Sequence, residues 1–205
     1  MTEAAPAILW FRQDLRLADN PALNAATDGG RPTIPVFVLD DDTPGRWAAG
    51  GASRWWLHHS LTALADSLAA IGLPLMLRRG RAGSVIPALA RETGAGAVFW
   101  NRCYEAQARG RDEAIKHVLK EQGVEARSFN GSLLHEPWTV ATRHGDAYSV
   151  YTPFARACLQ KGDPERPATP PREARRGEDI ASDRLEDWAL LPSRPDWAGG
   201  LRETW

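Results

Sequence analysis

Ile8-Leu9-Trp10-Phe11 is an apolar run of strand length that stops abruptly at Arg12. A run that is apolar at every position, rather than at alternate ones, suits a strand covered on both faces. A tight charged loop follows, Arg12-Gln13-Asp14-Leu15-Arg16. Then come Asp19 and Asn20, either of which can cap a helix, with Pro21 at its first position, where a missing N–H costs nothing. Strand, loop and helix make the first unit of a parallel α/β sheet. Ligands of such sheets lie beyond the carboxyl ends of the strands, so Arg12, Asp14 and Arg16 stand where a ligand is expected. Spacing alone favours a plainer role, in which Asp14 and the two arginines brace the turn as a local ion-pair cluster.

The unit repeats along the chain. Helical patterns over about 21–27, 53–71, 84–93 and 107–122 alternate with strand-length segments at 33–39, 73–79, 97–101 and 124–129. Strands alternating with helices imply βαβ crossovers and a parallel sheet, with the first strand central. In the second helix Ser53 is the expected N-cap and Gly72 the stop. Trp56, Leu57, Leu61, Leu64, Leu68 and Ile71 share its expected apolar face. His58 and His59 adjoin on it, and adjacent helical residues point different ways, so a zinc site is not indicated. Asp40-Asp41-Asp42 begins a loop at the same sheet edge as Arg12; such a run usually forms a solvated turn.

Charge and motifs exclude several function classes. The formal net charge is −1, so no basic excess marks a nucleic-acid surface. No G-x-G-x-x-G follows the first strand, no phosphate-loop signature occurs and no G-x-S-x-G elbow places a nucleophile. Glu92, Glu105, Asp112 and Glu113 are adequately explained by solubility. Cys103, between a strand end and a helix, is either an exposed, activated thiol or, more simply, a small residue filling a loop. Cys103 and Cys158 are the only cysteines, giving no disulfide framework and fitting a reducing cytoplasm. No apolar run is long enough to span a membrane, and residues 1–7 lack the regions of a signal peptide.

After Leu134 the pattern weakens. Residues 1–135 are expected to form the α/β domain, 136–162 an extension with one helix near 151–161, and 163–205 an interdomain linker rich in proline, arginine and acid. Trp188, Trp197 and Trp205 lie in this tail, and tryptophan in a polar tail suggests docking onto another surface. The residues by themselves define a ligand-binding α/β domain with its ligand open.

Longer motifs say more. W-F-R-Q-D-L-R-L-x-D-N-P-A-L, beginning at Trp10, resembles the amino-terminal signature of the DNA photolyase and cryptochrome family. The resemblance continues through Ser53-Arg54-Trp55-Trp56-Leu57, Trp100-Asn101-Arg102-Cys103-Tyr104-Glu105, Ser128-Phe129-Asn130-Gly131-Ser132-Leu133-Leu134 and Tyr148-Ser149-Val150-Tyr151-Thr152-Pro153-Phe154, in the family's order. It implies a Rossmann-like three-layer sandwich, a five-stranded parallel sheet with helices on both faces. It also implies a role. In photolyases, reduced FAD in a large helical domain gives an electron, under light, to a cyclobutane pyrimidine dimer in DNA, and the dimer splits. The α/β domain holds an antenna chromophore and passes excitation energy to the flavin.

On that resemblance the helical FAD domain is absent from this sequence, and the chain alone is expected neither to repair DNA nor to retain FAD. Its implied partners are that flavin-binding helical domain and, through it, damaged DNA; no membrane is involved and a monomer is expected. The implied chromophore pocket is bounded by Arg12, Leu39, Asp40, Arg54, Asn101, Cys103, Glu105 and Arg111. Folate-binding members resemble Y-E-x-N-E after the fourth strand, where this chain has Tyr104-Glu105-Ala106-Gln107-Ala108. Gln107 can still hydrogen-bond, but Ala108 cannot supply the carboxylate. Deazaflavin-binding members carry an aspartate where this chain has Cys103 and an arginine that Arg111 matches. Methenyltetrahydrofolate and deazaflavin therefore both stay open, as do a flavin antenna and no antenna at all. So do two other readings: the same domain of a cryptochrome photoreceptor, and a free-standing Rossmann-like nucleotide-binding module.

Overall fold

The computed structural model describes residues 4–204. Five strands, β1 (Ala7–Phe11), β2 (Thr33–Leu39), β3 (Met76–Arg79), β4 (Ala97–Asn101) and β5 (Glu125–Phe129), form one sheet in the order β3-β2-β1-β4-β5. Every pairing is parallel, and β1 is central, as its double-sided apolar run requires. The helices α1 (Pro21–Thr27), α2 (Gly51–Ala69), α3 (Ala82–Glu92) and α4 (Ala106–Glu121) alternate with the strands. A further helix, α5 (Tyr151–Gln160), follows the sheet, and α6 (Gly199–Thr204) lies near the end of the chain.

Side chains of a strand alternate between faces, so one sheet serves two cores. Leu9, Phe11, Phe37, Leu39 and Phe99 pack with Leu23 of α1 and Leu61, Leu64 and Leu68 of α2. Ile8, Trp10, Val36, Val98 and Trp100 pack on the opposite face with Ile86 and Leu89 of α3 and Ile115 and Leu119 of α4. The result is the expected three-layer α/β sandwich. Strand order reverses direction between β1 and β4, and the crevice at their carboxyl ends is the topological switch point.

The elements match the sequence reading except in three places. Helix α2 starts at Gly51 with Gly50 as its cap, so Ser53 lies inside it and caps nothing. Trp56 is half exposed, whereas Trp55 is buried. With roughly 3.6 residues per turn, Trp55 lies about half a turn from Leu64, so it belongs to a second covered side of the helix. There it meets the His59 ring at 4.5 Å. Strand β3 begins at Met76 rather than Leu73, because Pro74 has no N–H to give the ladder.

The third difference concerns the tail. Much of the stretch expected as an interdomain linker folds back on the α/β domain. Thr33 N–H donates to Arg175 O at 2.8 Å and Gly177 N–H to Thr33 O at 3.0 Å, a parallel bridge at the start of β2. Gly177 is needed there, since a Cβ would lie 2.5 Å from Ile34 Cγ1. Asp183 N–H donates to Leu77 O at 2.8 Å, and Leu77 N–H donates to Ser182 Oγ at 3.0 Å, covering the edge strand β3. Trp188 is buried against Phe37, ring centroids 6.1 Å apart. The tail tryptophans are expected to dock onto another surface, but the surface that Trp188 finds is the chain's own. Trp197 lies against Gly51; the expectation for Trp205 falls outside the described residues.

His58 on α2 gives the fold a pH dependence. Burial and the neighbouring His59 hold the His58 imidazole below its ordinary value of 6.5, against the opposing pull of Glu186 from the tail. A histidine with a depressed folded value favours the folded state above the unfolded value. That contribution is lost as pH falls from about 6.5 towards the folded value, because the unfolded chain binds the proton first. Chemical denaturation should therefore show lower stability at about pH 5.5 than at about pH 7.5, and His58→Gln should reduce the difference. An unchanged difference in the variant would exclude His58 as its source.

Candidate functional site

Each strand of the sheet ends at one edge, and the polar residues just beyond those ends form two groups. The first stands at the switch point. Arg12, directly after β1, reaches across to α4, where its Nη1 donates to Asp112 Oδ2 at 2.7 Å and Oδ1 at 2.9 Å. Its Nη2 donates to the carbonyl oxygen of Asn101 at the end of β4. Arg111 Nη2 donates to Asp112 Oδ1 at 3.0 Å, and Trp100 Nε1 to Oδ2 at 3.0 Å. Asp112 is thus a buried carboxylate held by two guanidinium groups and an indole. The same cations pack on Trp10, with Arg12 Cζ 4.7 Å and Arg111 Cζ 5.0 Å from its ring. Trp10 meets Trp100 edge-on at 5.8 Å.

Beside this pair sits a second hydrogen-bonded network. Asn101 Nδ2 donates to Asp14 Oδ2 at 2.6 Å and to Asn20 Oδ1 at 2.8 Å, while its own Oδ1 accepts from Ala22 N–H at 3.2 Å. Asp14 Oδ1 accepts from the Arg12 backbone N–H at 2.9 Å. Asn20, rather than Asp19, caps α1, accepting from Leu23 N–H at 3.0 Å. Arg16 donates to Gly131 O at 2.6 Å. The local cluster favoured from spacing does not form: Arg12 pairs with an acid far along the chain, and Arg16 binds carbonyls. Gly131 packs so closely that a Cβ would stand 2.6 Å from Asn101 Cγ. Gly131→Ala should push Asn101 out of this network and cost about 1–3 kcal/mol, read as a lower denaturation midpoint. An unshifted midpoint would mean that the 130–132 turn yields freely.

The second group lies beyond β2 and β3. Leu39 is buried at the strand end. Asp40 accepts from Ala82 N–H at 2.9 Å, so it holds the start of α3, and from Thr43 Oγ1 at 2.6 Å. Burial alone would raise its pKa, but the Thr43 hydroxyl and the surrounding backbone N–H groups outweigh it and lower the value. Asp41 is clasped by Arg54 at 2.6 Å and Arg79 at 3.1 Å. No His, Cys, Asp and Glu group suited to a metal ion forms among the described residues.

The predicted pocket residues therefore divide. Arg12, Asn101, Cys103, Glu105 and Arg111 gather at the switch point; Leu39, Asp40 and Arg54 gather beyond β2. Arg12, Asn101 and Leu39 are buried and shape the edge from within, whereas Arg54, Cys103, Glu105 and Arg111 retain exposed surface. Glu105 stands at the N-cap position of α4, with Gln13 Nε2 3.4 Å from its Oε1. The Cys103 thiol is not activated: burial pushes it up, and the nearby Arg12 and Arg111 only partly oppose this. Sequence reasoning missed Asp112, Trp10 and Trp100. A signal existed, since Asp112, Ile115 and Leu119 share one helical stripe, and an acid on an apolar stripe needs a buried partner.

Comparison with known proteins covers nearly the whole chain. The family model described as DNA photolyase matches residues 7–172. The chain is 44% identical over 204 residues to the deoxyribodipyrimidine photo-lyase of Agrobacterium fabrum, covering 99% of this chain and 42% of that protein. It is 42% identical over 170 residues to cryptochrome-1 of Arabidopsis thaliana, covering 82% of this chain and 25% of that protein. The crystal structure of a bacterial class III photolyase from Agrobacterium tumefaciens superposes with a TM-score of 0.91 at 44% identity, over 100% of this chain and 42% of that one. The chain thus spans well under half the length of these relatives.

Proposed function

The chain belongs to the DNA photolyase family, and from that premise we propose that it is the amino-terminal, chromophore-holding domain of a deoxyribodipyrimidine photolyase. One observation carries the reading: 99% of the chain aligns at 44% identity with 42% of a deoxyribodipyrimidine photo-lyase. The rest of such a protein supplies a helical domain with FAD, and repair of pyrimidine dimers takes place there. The surface supports a partner of that kind. Helix α5 buries none of its residues, and Tyr151, Phe154 and Leu159 stand exposed on it, with Leu134 and Trp138 exposed on the preceding loop. Exposed aromatic and aliphatic residues in this number suit an interdomain contact. A cryptochrome role is the second reading, favoured by the 42% identity to cryptochrome-1, although that match covers less of the chain.

An antenna chromophore, when bound, absorbs light and passes excitation energy to the flavin. The groups available to hold its ring are Arg54, Cys103, Glu105 and Arg111 on the two sides of the strand edge, with Asp40 fixing the loop between β2 and α2. Arginine faces stack on planar rings, and carboxylates accept ring N–H groups. The deciding experiments use the full-length protein. Light-driven dimer splitting by it, and none by residues 1–205 alone, is the expected result; repair by the short chain would move the active site into this domain. Methenyltetrahydrofolate should bind weakly and Ala108→Glu should strengthen it by about one to two decades, the worth of a hydrogen bond to a charged group. Tight folate binding unaffected by Ala108→Glu would overturn the part assigned to residue 108.

A further inference from the structure

A cleft of about 190 Å³ opens between the first half of α4 and the ends of β4 and β5, with Asp112, the partner of Arg12, on its wall. Arg102, Arg109, Lys116, Ser128 and Trp138 line it, and of the predicted chromophore residues only Cys103 does. Lys116 Nζ donates to Ser128 Oγ at 2.9 Å, and Arg102 Nη1 donates to the same oxygen at 3.2 Å. A hydroxyl oxygen has two lone pairs and one proton. Both lone pairs of Ser128 face cations, so the hydroxyl has only its proton left to give, polarised by two positive charges. No described residue accepts it.

The charges around the cleft do not cancel locally. Arg102 is paired with Glu136, and Asp112 is taken up by Arg12 and Arg111. Among the described residues, neither Lys116 nor Arg109 has a carboxylate within ion-pair distance; Glu113 lines the cleft between them without pairing to either. Lys116 is nevertheless half-buried, its ammonium 5.6 Å from the Trp100 ring. Burial and the neighbouring Arg102 push its pKa down, against Asp112 and Glu113. A half-buried ammonium without a counterion is costly unless an anion completes it.

We propose that this cleft binds a phosphate group, with Lys116 and Arg109 as its charge partners and the Ser128 hydroxyl as a donor. Donors converge from α4, from β5 and from the end of β4, which suits a tetrahedral group with several outer oxygens better than a planar carboxylate. The phosphate enters alone or as the end of a longer ligand whose ring lies outside. The proposal does not depend on the chromophore reading, and its test uses neither light nor FAD.

The test is titration of the 205-residue chain with inorganic phosphate against chloride at equal ionic strength, followed by calorimetry and by the unfolding midpoint. Saturable binding is expected. Lys116→Met should weaken it by at least about tenfold, the effect of losing one charge-assisted hydrogen bond. Arg109→Gln should weaken it less, and Arg91→Gln, on α3, not at all. Without phosphate, Lys116→Met should unfold no earlier than the parent, since it removes an uncompensated charge; lost binding then cannot be lost folding. No saturable effect beyond chloride, or one that Lys116→Met leaves intact, overturns the proposal. Flavin mononucleotide and riboflavin differ by one phosphate and separate the sources. Preference for the mononucleotide that disappears in Lys116→Met assigns the site to a ligand-borne phosphate. Equal binding of the two, with inorganic phosphate still bound, assigns it to the free anion.

Discussion

Asp112→Ala is expected to destabilise the chain by about 3–5 kcal/mol, the range for breaking a buried ion pair by removing one partner. The loss is large because one carboxylate serves so many donors. Without it the Arg12 guanidinium, whose side chain is 6% exposed, is left charged and nearly dry beside Trp10, and Trp100 Nε1 loses its acceptor. Arg111 retains some solvent and suffers less. Asp112→Asn keeps the volume but removes the charge, so it should fall between the parent and the alanine variant. Equilibrium urea unfolding measures both. A double variant, Arg12→Met with Asp112→Leu, should recover much of the loss, since a packed apolar pair can replace a buried ion pair. A midpoint for Asp112→Ala within experimental error of the parent would mean that the pair contributes nothing to the fold.

Trp188→Ala should cost a comparable amount, about 3–5 kcal/mol, as for other large buried aromatics cut to alanine. Trp188 is 4% exposed, packs on Phe37 and donates from Nε1 to Asp183 Oδ2 at 3.2 Å. Asp183 in turn gives its N–H to Leu77 O on the edge strand β3. Loss of the indole therefore loosens the segment that covers the sheet edge, and unpaired edges template association with other chains. Native-state hydrogen exchange should show faster exchange at the Leu77 and Asp183 amides, with the β1 amides following only the global loss. An interdomain linker resting loosely on the surface would give no stability change, and that result would refute the packing described for the tail.

What the sequence determined by itself was the local order of the chain. The run Ile8–Phe11 specified a strand with two dry faces, and the central position of β1 follows from it. The alternation of apolar runs with helical periods specified a parallel sheet, and hence the edge where Arg12, Asp40 and Asn101 stand. These features are legible because backbone periodicity is a short-range property: a strand or helix shows its buried face within a few residues. Only the tertiary structure decided which groups meet. Arg12 is ambiguous in sequence between Asp14, two residues away, and any other acid; folding brings α4 over the end of β1 and gives it Asp112. In sequence the tail has the composition of a linker, because its aliphatics are sparse and without period. Yet scattered residues, needing no period, dock it: Trp188 and Leu190 are buried in the core, and an indole removes from water the area of several smaller side chains.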